Sequence, residues 1–89
     1  VKALTVDMSK TTVLDGLAFA EGGTLTIENF VSDGKAAKLP VTFANATDQA
    51  KLAGWNLAFA GARQYRREIR VAADGSVSLV PYGLSINVR

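Results

Sequence analysis

Apolar and polar residues alternate through nearly the whole chain, and this alternation restricts the fold more than any other feature. Leu4, Val6 and Met8 alternate with Thr5 and Asp7, and Leu25 and Ile27 with Thr24, Thr26 and Glu28. Leu39, Val41 and Phe43 bracket Pro40 and Thr42; Trp55, Leu57 and Phe59 bracket Asn56 and Ala58. Val77 and Leu79 sit among Ser76, Ser78 and Val80, and Leu84, Ile86 and Val88 alternate with Ser85, Asn87 and Arg89. Successive side chains of a strand point to opposite faces, so each run makes one apolar face and one wet face. The pattern predicts an all-β domain, a small antiparallel β-sandwich of about seven or eight short strands.

The turn residues divide these runs. Asp74-Gly75 lies between two alternating segments and predicts a tight type I′ hairpin, whose central residues need positive φ. Glu21-Gly22-Gly23 predicts a second hairpin, and Ser32-Asp33-Gly34-Lys35 a further turn. Pro40 has no N–H to give to a ladder, which places it at an edge strand or a strand start. One segment has helical character: a short turn near 48–53, with Thr47 as its cap and Gly54 as its stop. Leu17-Ala18-Phe19-Ala20 returns as Leu57-Ala58-Phe59-Ala60, and residues 20–27 resemble 72–79. Convergent hairpin chemistry accounts for this echo better than a decayed duplication does, and the chain shows no solenoid period.

The 89 residues allow one domain, 1–89, with one core. Cysteine and histidine are both absent, so there is no disulfide, no thiolate metal site and no imidazole base. The eight carboxylates are scattered, and Asp15, Asp33 and Asp74 each precede a glycine, as turn residues do. No Asp-x-Asp-x-Asp-Gly ligand run and no Gly-Lys-Ser/Thr phosphate loop occurs. A non-enzymatic chain without cofactor or metal is expected. A net charge of +2 supplies no field for a polyanion, so no nucleic-acid partner is expected. No apolar run approaches the ~20 residues of a membrane-spanning helix, and no membrane insertion is expected.

Five residues stand out as possible ligand contacts: Trp55, Tyr65, Tyr82, Arg66 and Arg70. In a strand over 63–71, Tyr65, Arg67, Ile69 and Val71 share one face, and Arg66, Glu68 and Arg70 the other. The charged face reads as a solvated surface carrying an Arg–Glu cross-strand pair, as an anion patch, or as a dock for an acidic neighbouring domain. The three aromatics are the candidates for stacking on a sugar ring, which needs two coplanar exposed rings.

Leu52-Ala53-Gly54-Trp55-Asn56-Leu57, then a basic strand, then Val71 to Pro81 and the terminal Leu84 to Arg89 form a sequence of elements with a family likeness. Over about residues 39–89 it resembles the C-terminal β domain of large secreted, autotransporter-like bacterial surface proteins. The resemblance implies a β-rich end domain with no catalytic residues of its own and an extracellular or cell-surface location. The expectation is therefore a non-catalytic structural or interaction module, a fragment or C-terminal module of a larger protein whose partners are its neighbouring domains. A carbohydrate-binding module is the alternative, and an enzyme fragment with its catalytic residues elsewhere is a third.

Overall fold

In a computed structural model, residues 1–61 and 63–81 are described. Eight strands run in chain order: β1 (Ala3–Asp7), β2 (Thr12–Asp15), β3 (Thr24–Glu28), β4 (Ala37–Lys38), β5 (Val41–Ala44), β6 (Asn56–Phe59), β7 (Arg67–Val71) and β8 (Val77–Pro81). A 3-10 helix, Gln49–Gly54, lies between β5 and β6. The all-β character and the short helical segment are as the sequence predicts. The terminal run 84–88 lies outside the described residues.

The antiparallel sandwich needs correction. β1 pairs with β3, and β3 with β6, in parallel. β2 pairs with β5 in parallel as well, and a parallel bridge joins Ala18 to Thr47. Parallel neighbours cannot be joined by a hairpin, so the chain winds round and returns one layer further on. Residues 3–20 form one coil, residues 24–48 stack on it as a second, and β6 begins a third. Among the described residues only β4, β8 and β7, in that order, form an antiparallel sheet, which caps the stack.

The coils differ in length. Ala3 is in register with Thr24, 21 residues on, and Thr24 with Asn56, 32 residues on. Most of the excess is the segment between β3 and β5, which carries β4 out to pair with β8. The two corners after the strands repeat in detail. Asn29 and Asn45 have φ of 57° and 51°, and Gly61 and Gly16 hold positive φ at the corresponding corners of the adjacent coils. Asn tolerates this region better than other side-chain-bearing residues. Each Asn also reaches back to an Asp of the first coil: Asn29 Nδ2 donates to Asp7 Oδ1 at 2.8 Å, and Asn45 Nδ2 to Asp15 Oδ1 at 3.0 Å.

Inward residues fill the coils. Leu25 and Ile27, on the middle strand, have no exposure, and Val6, Phe19, Leu52 and Phe59 are buried with them. Phe19 meets Trp55 and Phe43 edge-on, with ring centroids 5.8 and 5.7 Å apart. Gly23 is required by this packing, because a Cβ there would collide with the Trp55 indole and lie 2.6 Å from the Lys2 carbonyl oxygen. Ile69, Val77, Leu79 and Leu39 extend the core into the cap.

Three local expectations change. Glu21-Gly22-Gly23 is a corner between coils, not a hairpin. Thr47 sits in the bridge to Ala18, and the helix starts from Asp48, which has no side-chain cap bond. The Asp74-Gly75 hairpin exists, but only Gly75 has positive φ, at 90°. Its N–H donates to the Ala72 carbonyl at 2.9 Å, which fits a type I turn closed by a left-handed glycine.

Candidate functional site: a groove between the coil stack and the cap

A recess of about 430 Å³ opens where β6 faces β7. Three of the five singled-out residues, Trp55, Tyr65 and Arg66, line it, together with Asn56, Leu57 and Glu68. Strand alternation puts them there. Leu57 and Phe59 direct their backbone groups away from β3, because Asn56 N–H donates to Gly23 O and Ala60 N–H to Ile27 O. The Gln64 side chain answers at Phe59: its Oε1 accepts from Phe59 N–H at 3.0 Å, and its Nε2 donates to Phe59 O at 2.7 Å. A side-chain amide thus imitates the next strand and closes this part of the edge.

The aromatic side chains are used internally. Trp55 is 6% exposed, and its Nε1–H donates to Ala20 O at 2.7 Å. It anchors the core and offers no free face. Tyr65 is half-buried, 5.0 Å from both Phe30 and Phe59, and the Arg63 guanidinium lies 5.3 Å from its ring centroid. Tyr82 lies outside the described residues. A pair of coplanar exposed rings, the requirement for a sugar platform, does not occur among the described residues.

Arg66 is exposed, and Arg70 Nη2 contacts Glu68 Oε1 at 2.7 Å. The pair lies along one strand rather than across two. Both partners are largely exposed, so water and salt screen the attraction and it contributes little to stability. The residue that sequence reasoning passed over is Arg67. It is 5% exposed and inward-facing, with its Nη1 donating to Lys35 O at 2.6 Å and to Leu79 O at 3.0 Å. Its guanidinium stacks 4.8 Å from the Phe30 ring centroid. A basic residue on the apolar face of an alternating strand was the available signal. Arg67 ties the segment after β3 to the cap.

Two carboxyls are shifted. Asp7 is held down to about 2 by hydrogen bonds from the Ser9 hydroxyl, the Asn29 amide and the Ser9 backbone N–H. Asp74 is lowered by the Ser76 backbone N–H and hydroxyl. These bonds favour the ionised form at turns, which is a structural arrangement and not the separated pair of carboxyls that acid–base chemistry uses. Among the described residues no three acidic side chains gather into a metal-ligating group. No described helix is long and apolar enough to cross a membrane. No family model matches the chain, and no curated protein or solved structure matches it either.

Proposed function

We propose that this chain is a non-catalytic structural and interaction module, the end domain of a larger secreted bacterial surface protein, which terminates a stack of parallel coils. One observation carries the reading: the two ends of the stack are finished differently. At the β6 end, Gln64 occupies the Phe59 backbone groups and the antiparallel β7–β8 hairpin folds over the coil. Gln49 fastens that hairpin by donating from Nε2 to Gly75 O at 2.8 Å. Coil arrays need such terminal units, because an exposed strand edge is a template for aggregation. The cadence of residues 39–89 supports the secreted, surface-exposed setting.

The test is to append residues 1–89 to the end of a parallel coil array whose last edge is bare. The appended array should stay monodisperse, and Gln64→Ala should restore part of its self-association. Arrays that aggregate equally with and without the domain would refute the capping role. Selective retention of one sugar on a glycan array would turn the assignment to carbohydrate binding.

A further inference from the structure

At the opposite end of the stack the first coil is closed beside Ala18 and Ala20, where Val1 bonds to both, but the outer edges of β1 and β2 have no such closure among the described residues. β1 pairs only with β3, and β2 only with β5. Met8 N–H donates to Glu28 O and Lys2 O accepts from Thr24 N–H, so the even-numbered residues of β1 face β3. Ala3 and Thr5 therefore turn their N–H and C=O groups outward. By the same alternation Thr12 and Gly16, bonded to Pro40 O and Ala44 O, face β5, and Val13 faces outward. The side chains agree. Leu25 is fully buried between coils, whereas its register partner Leu4 is only half-buried, as are Leu14 and Leu17 on the same open coil.

We infer that the outer edges of β1 and β2 form a docking surface for one further coil of polypeptide, laid down in parallel with apolar residues at alternate inward positions. The inference rests on the end-domain reading and names that domain's partner. The interface already present between the first and second coils supplies the template: its register, continued one layer outward, would pair Ala3, Thr5 and Val13 and cover Leu4 and Leu14. Charge narrows the partner. Asp7 and Asp15 are matched by Asn29 and Asn45 from the second coil, and the first coil has Met8 and Gly16 where those asparagines stand. An incoming coil with carboxylates at the two corners would meet these aspartates without a donor, so the partner is neutral there.

A synthetic peptide of residues 3–19 carrying Asp7→Asn and Asp15→Asn is the probe, added to the full chain and followed by amide hydrogen exchange. Saturating peptide should slow exchange of the Thr5 and Val13 amides by at least about tenfold, with Leu25 and Ile27 unchanged. Thr5→Pro and Val13→Pro remove outward N–H groups that no internal bond uses. Each should weaken peptide binding by about tenfold or more while the β circular-dichroism spectrum persists. If neither variant folds, exchange on the unaltered chain decides. Unchanged exchange at Thr5 and Val13 would overturn the inference. So would the same protection appearing without peptide as the chain dimerises, since the occupant would then be a second copy. The Gln64 assay reads the other end of the molecule, so failure of the capping role remains separable from failure of this surface.

Discussion

In the coil stack, β1, β3 and β6 run parallel and are linked by long excursions, whereas in the cap β7 and β8 run antiparallel across one tight turn. The stack holds itself together by repetition: the same register, the same left-handed corners and the same Asp–Asn bonds. A repeating surface never closes, because each coil exposes what the next would pair with. The cap is held by single, unrepeated contacts: Arg67 on two carbonyls, Gln64 on one residue's backbone, and Gln49 on the hairpin turn. Repetition makes an interface that extends, and irregularity makes one that stops.

The largest effect should come from the shared core. Leu25→Ala in the stack and Leu79→Ala in the cap, both at fully buried positions, should each cost about 2–5 kcal/mol. Both should lower a single cooperative melting transition. A Leu79→Ala variant in which the cap amides exchange freely while the stack amides stay protected would break the molecule into two independent units.

Arg67 sharpens the comparison from the cap side. Arg67→Ala leaves the Lys35 and Leu79 carbonyls without their donor and should cost about 1–3 kcal/mol. Arg67→Met keeps the packing against Phe30 but not the bonds. If Met fully rescues stability in chemical denaturation, the residue acts as filler and not as a tie. Gly75→Val is next, at about 1–3 kcal/mol, because a β-branched residue is strained at φ 90° and its Cβ would strike the Gln49 amide. A melting temperature unchanged by that substitution would show that the hairpin turn is not fixed by its glycine.

The smallest effect is electrostatic and belongs to the stack. The Asp7 carboxyl is pulled from its ordinary 3.8 to about 2, so the folded state favours its ionised form. A depressed folded-state pKa adds stability above about pH 4, and that increment disappears as the pH falls through 2. Thermal melts should therefore be level from pH 7 to 4 and decline below, and Asp7→Asn should decline less. An identical acid limb in the variant would remove the Asp7–Asn29 bond from the account.

Much of this was legible because alternation fixes which side of a strand is wet. Leu25, Ile27, Val77 and Leu79 are buried as their spacing predicts, and the helical turn falls at 49–54, within a residue of its predicted place. Strand direction was not legible, since a period of two is the same whether a neighbour runs up or down. The repeat was present in Leu4-Thr5-Val6-Asp7 and Leu25-Thr26-Ile27-Glu28, now seen to be in register. Its period was hidden when the next coil lengthened from 21 to 32 residues. The Leu-Ala-Phe-Ala echo proved misleading: Ala18 pairs with Thr47, and Leu57 with Leu25. The same alternation put Trp55 on the apolar face of its run, where it is buried, but did not single out Arg67, because a pattern of apolar positions says nothing about a cation that finds carbonyls inside.

The segment that lengthens the second coil has a consequence for the order in which the molecule is completed. Its strand β4 waits for β8, pairing Ala37 with Leu79, and the Lys35 carbonyl waits for Arg67, 32 residues later. Ala37 and Leu79 lie further apart in sequence than any register pair of the stack, so they pair late, after the coils have ordered and shortened the loop to be closed. Synthesis from the N-terminus therefore delivers the coils first and their fastening last. Until β8 is made, the middle of the chain stays unlocked, so a ribosome-bound chain ending before Val77 should be far more readily proteolysed around residues 29–38 than the finished domain.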